Sequence, residues 1–231
     1  MLYLFCGHKR KADIKHFLHE FGKLRGFDLH VREVDIERSN EDDLLQQGLW
    51  EELWAAIDQG EWDVVLLTPP CNTFSRARCN RNSPGPGQLR NFQHPWGFPW
   101  LTGDNWQLLQ DHNFLILQCF KTIDKCYAVG ADFLFEHPED LGLTESGETP
   151  ASVWQLEQMQ ALVTMRGATT FAVYQCQFGA QSPKPTRFMT SLQKAKSLPA
   201  QGLPTFDSKR HYLGPLPRSC THKYHVKKLI G

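Results

Sequence analysis

No segment of the chain is apolar for long enough to cross a bilayer or serve as a secretory leader. The opening stretch, Leu2 to Cys6, runs straight into His8-Lys9-Arg10-Lys11. The expectation is therefore a soluble, intracellular protein, in the cytoplasm of a prokaryote or phage host or in the nucleus of a eukaryote. A CxxC pair is also missing. The seven cysteines, at 6, 71, 79, 119, 126, 176 and 220, form an odd set, which argues against a disulfide framework and suits reduced thiols in a core. There is no internal repeat, so solenoids and repeat arrays are excluded. Net charge is lacking too, with 25 Lys and Arg against 25 Asp and Glu, but the balance hides an uneven spread. From Arg166 to the end, eleven Lys or Arg stand against one acid, Asp207. The remainder is acidic, with Glu37, Glu41, Asp42, Asp43, Glu51, Glu52, Asp58 and Glu61 gathered together. A basic segment beside an acidic one suits a polyanion approached from one side, or simply two solvated surfaces.

What is present is enough apolar material for one α/β domain: 231 residues, 41% hydrophobic. Leu2 to Cys6 reads as a short buried strand, followed by Ile14, Phe17, Leu18 and Phe21 at helical spacing. A second strand over Leu29 to Ile36 and a helix over Leu49 to Ile57 repeat the unit. Asp63 to Thr68 is a continuous apolar run, the form of a parallel strand covered on both faces. Residues 72–104, rich in Pro and Gly, form a long loop of the kind that serves as an active-site lid. Beyond it the pattern predicts a helix over Trp106 to Cys126, a strand over Phe133 to Phe135 and a helix over Val153 to Met165. Two last strands follow at Thr170 to Gln175 and Arg187 to Ser191. Such alternation predicts a parallel or mostly parallel sheet, with ligands gathered at the carboxyl ends of its strands. Cys6, Asp35, Cys71 and Glu136 all lie at or just past such ends, so they are expected to share a crevice.

The run WDVVLLTPPCNTFSRA, residues 62–77, is the most specific feature. Proline fixes φ and removes a backbone donor, so Pro69-Pro70 halts the strand and sets the direction in which Cys71 leaves it. A thiol held there is a candidate nucleophile. On its own it reads as readily as a packing residue.

TPPCNTFSRA, followed about sixty residues later by FLFEHPEDLG, resembles the paired signature segments of the DNA cytosine C5-methyltransferase family. The resemblance implies an α/β, Rossmann-like class I S-adenosylmethionine-dependent methyltransferase fold, with a mostly parallel seven-stranded sheet and helices on both faces. It implies that Cys71 adds to C6 of a flipped-out or single-stranded cytosine, making C5 nucleophilic toward the methyl of S-adenosylmethionine. Glu136 matches the carboxylate that holds the pyrimidine N3 and amino group, although His137-Pro138 replaces the family's Asn-Val. In the family's Gln-x-Arg-x-Arg segment, QSPKPTRF places Lys184 at the base-contacting position and Thr186 at the second Arg position, with Gln181 one position early.

On the cofactor side the resemblance carries over Phe5 and Gly7 from the family's Phe-x-Gly-x-Gly loop, whose second glycine is absent here. Asp35, with Ile36 beside it, matches the acid that binds both ribose hydroxyls; Asp43 and Leu44 match the adenine side, and Pro69 completes the set. The nucleic-acid contacts expected are Ser75, Arg76, Arg78, Arg81, Gln181 and Arg187, with Arg90 as a further phosphate clamp. Residues 1–192 form the catalytic domain and 193–231 a basic, loosely organised tail. That tail is too short for the family's target-recognition region, so the partners expected are DNA and a separate specificity subunit or domain. Cys220-Thr-His222-Lys-Tyr-His225 has zinc-ligand chemistry but no distant fourth ligand, and no metal is assigned to it. Three other readings remain: a module of the same fold that binds cofactor or nucleic acid without turnover, a cytosine methyltransferase acting on RNA, and a thiol hydrolase pairing Cys71 with His137.

Overall fold

The computed structural model describes residues 1–79, 87–164, 167–217, 219–221 and 225. Its centre is a six-stranded sheet built from β1 (Leu2–Leu4), β2 (Arg32–Val34), β3 (Val64–Leu67), β4 (Asp132–Pro138), β5 (Thr169–Tyr174) and β6 (Pro185–Thr190). The spatial order is β2-β1-β3-β4-β6-β5. The first four strands are parallel, and β6 runs antiparallel to both β4 and β5. The sheet is thus mixed and mostly parallel, with helices flanking it.

The expected seventh strand is a correction: among the described residues six strands make up this sheet. The connection from β4 to α4 (Glu157–Thr164) is long enough for another strand, yet it satisfies its polar groups locally. Thr144 N–H donates to the Glu148 carbonyl at 2.8 Å, Gly147 N–H to the Thr144 carbonyl at 3.0 Å, and Val153–Gln155 form a 3-10 turn.

Helices form where apolar spacing and end signals agree. In α2 (Gln47–Asp58) the buried residues Trp50, Leu53, Trp54 and Ile57 recur on one face, each contributing roughly 2 kcal/mol by burial. That face packs with Leu2, Leu4, Val65, Leu67, Phe133 and Phe135 of the sheet and with Ile116, Cys119 and Ile123 of α3 (Gly103–Val129). Trp54 Nε1 donates to Thr122 Oγ1 at 2.9 Å, tying the two helices together. The first helix behaves differently. α1 (Ile14–Arg25) is capped by Asp13 and closed by Gly26, but Phe17 is 61% and Leu24 83% exposed, and Gly22 is its one buried residue. Its apolar stripe faces outward. No helix among the described residues is long and apolar enough to cross a membrane.

Two segments are more ordered than their composition implies. In the 72–104 loop, Asn72–Phe74 and Arg76–Cys79 form 3-10 turns, Phe98 N–H donates to the Leu89 carbonyl at 3.0 Å, and Asn91 bridges to Pro150. The described tail contains a two-stranded sheet of β7 (Thr205–Phe206) and β8 (Tyr212–Gly214). It is fastened to the loop after β4, where Leu143 N–H donates to the Arg210 carbonyl at 2.9 Å. Gly142 has φ +64°, and a Cβ there would lie 2.1 Å from that same carbonyl. Only glycine permits the approach.

Candidate active site

β3 delivers Cys71 to the carboxyl edge of the sheet. Thr68 Oγ1 donates to the Phe5 carbonyl at 2.9 Å, and Pro69 is buried. Pro70 then leads into Cys71, whose backbone opens the 3-10 turn at φ −103°, ψ 2°, with Phe74 N–H donating to its carbonyl at 3.0 Å. The turn is braced from behind. Arg90, only 2% exposed, donates to Thr73 Oγ1 at 3.0 Å and lies 3.8 Å over the Phe74 ring. His112 of α3 faces the same hydroxyl at 3.3 Å. Phe74 in turn meets the His137 ring edge-on at 5.1 Å. Arg90 is therefore a correction: it holds the cysteine turn from inside the protein and is not placed to clamp phosphates.

Cys71 lines a cavity of about 600 Å³, shared with Phe74, His137, Tyr174 and Lys184 and closed on one side by Ser219, Cys220 and His225. Lys184, just before β6, ion-pairs with Glu136 of β4 at 3.3 Å, the side chains being 32% and 12% exposed. Burial pushes the Cys71 thiol above its ordinary pKa, while the Lys184 ammonium draws it down and Glu136 pushes it up again. The resting sulfur is a thiol beside a cation that favours its ionisation. Thus Cys71, Lys184 and Glu136, distant in sequence, are brought within electrostatic reach of one another.

His137 sits on the opposite face of β4 from Glu136, stacked on Phe135, and neither of its ring nitrogens has a hydrogen-bond partner. Burial, then the charges of Lys184, Arg90 and His112, hold it well below the ordinary histidine pKa. It is a neutral polar wall with one donor and one acceptor unclaimed, and it does not hydrogen-bond to Cys71, as a thiol hydrolase would need.

The basic residues expected on nucleic acid fall into different places. Ser75 and Arg76 line the cavity. Arg76, however, donates to the carbonyls of Gly142 and Leu143, and burial lowers its pKa. Arg78 donates to the carbonyls of Asn72 at 2.8 Å and Gly87 at 3.1 Å, so it too supports the turn. Gln181 is exposed and lies outside the cavity lining. Arg81 is outside the described residues. Arg187 is a further correction: it is fully buried, its guanidinium grips Glu139 (Nε to Oε1 2.9 Å) and also reaches Thr170 and the Gly202 carbonyl. Its β6 position faces the protein interior, where the buried Glu139 carboxylate requires a cation.

Glu139 and its neighbour Asp140, which pairs with Arg210 at 3.2 Å, were missed by sequence reasoning. Their signal was present as two further acids in EHPED, but the partners lie 48 and 70 residues away. Tyr174 was also not expected to line the site.

The cofactor candidates cluster at the β1 and β2 ends. Gly7 N–H donates to Asp35 Oδ2 at 2.7 Å, and Glu37 N–H to Asp35 Oδ1 at 2.9 Å. A carboxylate offers about four lone-pair directions, so Asp35 keeps acceptor capacity for a ribose diol while fixing the loop after β1. Gly7 adopts φ +66° with open space where a Cβ would be, and Phe5 before it is also left-handed at φ +63°. Such strain in a non-glycine residue is a common mark of a ligand loop. Asp43 accepts from Leu45 N–H at 3.0 Å and Gln46 Nε2 at 3.1 Å, and Ile36 is exposed. Leu44 is instead a core residue, buried against Trp50 with its carbonyl taken by the indole at 2.7 Å. None of Phe5, Gly7, Asp35, Ile36, Asp43, Leu44 and Pro69 lines the cavity around Cys71. Comparisons with protein families, curated proteins and solved structures return no match to this chain.

Proposed function

We propose that the protein is an S-adenosylmethionine-dependent methyltransferase acting at C5 of cytosine in DNA, with Cys71 as nucleophile and Glu136 and Lys184 as base-holding groups. The observation that supports this reading is that Lys184, which lines the cavity at Cys71, also pairs at 3.3 Å with Glu136, a residue outside that lining. The class proposed is an α/β enzyme of thiol addition chemistry, and the particular activity is what the resemblance of TPPCNTFSRA and FLFEHPEDLG implies.

Cytosine is a weak electrophile at C6. As the pyrimidine enters, Glu136 turns to N3 and the amino group, and the released Lys184 ammonium favours ionisation of the thiol, whose proton passes to solvent. The sulfur bonds to C6 as N3 takes up a proton from solvent and donates a hydrogen bond through it to the Glu136 carboxylate, which relieves the charge pushed into the ring. C5 becomes nucleophilic, and S-adenosylmethionine, when bound, would supply the methyl group and leave as S-adenosylhomocysteine. Loss of the C5 and N3 protons to solvent and departure of the Cys71 sulfur as a thiolate, which regains a proton from solvent, restore aromaticity and the free enzyme. Asp35 would hold the ribose hydroxyls, Gly7 would let the backbone approach the ligand, and Asp43 would stand at the adenine side. The target base must leave its stack to reach a half-buried thiol, so single-stranded or mismatched DNA is the favoured substrate.

The test is nucleoside mass spectrometry after incubation with DNA and S-adenosylmethionine. The native chain is expected to yield 5-methylcytosine, Glu136→Gln to lose about 10²- to 10⁴-fold, and Cys71→Ser to fall to background. Methylation of adenine, or undiminished activity in Cys71→Ser, would overturn the assignment. A second reading, a binding module without turnover, draws on the protonated resting state that burial imposes on Cys71. It predicts cofactor binding with no methylated product.

A further inference from the structure

Cys176 lies in the 3-10 turn Gln175–Phe178 directly after β5, whereas Cys220 and His225 belong to the tail. The fold brings all three together: one ligand atom from each lies within 4.8 Å of the other two. Cys220 Sγ is 3.1 Å from His225 Nε2. In a tetrahedral zinc site the metal–sulfur and metal–nitrogen bonds of about 2.3 and 2.0 Å set ligand atoms roughly 3.5 to 3.8 Å apart. Small side-chain shifts would bring this trio to that spacing. Neither Cys176 nor Cys220 forms a disulfide, and Cys176 is buried.

We propose that Cys176, Cys220 and His225 hold a zinc ion that fastens the C-terminal tail to the end of β5. Two thiolates and an imidazole form a borderline-soft donor set suited to zinc rather than to calcium or magnesium. Binding would displace two thiol protons to solvent and leave one coordination position to a ligand that the three residues do not supply. His222 of the same tail motif lies outside the described residues. The neighbourhood already favours a fixed tail, because Tyr174 Oη donates to the Pro217 carbonyl at 2.6 Å and Leu216 is buried against Ala172 and Tyr174. Cys220 and His225 also wall the cavity that holds Cys71. The metal would therefore be structural, setting one side of that cavity without touching the reacting base, and it does not depend on the methyltransferase reading. The sequence motif alone lacked a distant ligand; Cys176, 44 residues before Cys220, is that ligand.

The experiment is elemental analysis of the full chain after equilibration with zinc and gel filtration, together with cobalt substitution. The expected result is one zinc per chain, and a cobalt form with intense thiolate charge-transfer absorption and tetrahedral ligand-field bands. Cys220→Ser and Cys176→Ser should each lower zinc content about tenfold, while Cys79→Ala retains it. Should either serine variant fail to fold by circular dichroism, the cobalt spectrum of the native chain decides. Zinc at background in the native chain, a cobalt spectrum without thiolate bands, or a Cys176–Cys220 disulfide by mass spectrometry would each overturn the proposal.

Discussion

At the β3–β4 end of the sheet edge the reactive side chains are held by other side chains. Cys71 sits on a turn gripped by Arg90, Thr73 and His112, and Glu136 is paired with Lys184. Directly behind them the buried pair of Glu139 and Arg187 locks β4 to β6. At the β1–β2 end the backbone does the holding: Asp35 binds the amides of Gly7 and Glu37, and its neighbour Ile36 is 53% exposed. One end is braced by side chains, as the proposed chemistry, which depends on sub-ångström placement, would need. The other is an open carboxylate cradle, which needs only to present acceptors and a permissive loop. The loop after β1 and the thiol turn can therefore vary independently, because the two ends are stabilised by separate interactions.

The largest separation between the ends should appear in stability. Arg187→Met leaves Glu139 buried without its cation and is expected to cost about 3 to 5 kcal/mol in urea denaturation, while Glu139→Leu added to it restores most of that loss. An equal loss in the double variant would mean that packing, and not the pair, holds β4 to β6.

Acid should then weaken the thiol end selectively. Burial and the nearby Arg90 lower His112 to about 4 from an ordinary 6.5, and His137 shifts in the same direction. Because the unfolded chain binds these protons first, stability is complete above pH 6.5 and declines as pH falls from there toward 4. Urea midpoints across that range should show the decline, and His112→Gln should flatten it. A native chain equally stable at pH 7.5 and pH 5 would contradict the burial described for these rings.

The smallest effect belongs to the cradle. Gly7→Ala meets no neighbouring atom but must hold φ +66°, a strain of about 1 to 2 kcal/mol. Calorimetric titration with S-adenosylmethionine should show affinity lowered roughly tenfold, and the strain should lower the urea midpoint by less than Arg187→Met does. Unaltered affinity would remove Gly7 from the cofactor site.

The sequence made the strand ends readable because their signals are local. An apolar run stopped by Pro69-Pro70 fixes where β3 ends, and the placement of Cys71 and Glu136 at neighbouring strand tips follows from the alternation of strands and helices. The six-stranded order and the reversed β6 depend on pairings between distant segments, which no local period encodes. Arg187 looked like a solvent-facing cation because its partner Glu139 lies 48 residues earlier. Cys176 looked like a core thiol because its neighbours arrive with the tail. The stripe of α1 was legible as a helix, but periodicity cannot say whether a partner covers it, and Phe17 and Leu24 are exposed.

The most direct test is covalent trapping on a single-stranded oligonucleotide containing 5-fluorocytosine, with S-adenosylmethionine present and the adduct mapped by peptide mass spectrometry. The account predicts a stable cross-link on the peptide bearing Cys71, absent from Cys71→Ser. A cross-link on any other cysteine, or methyl transfer to ordinary cytosine that leaves no adduct with the fluorinated base, would contradict it.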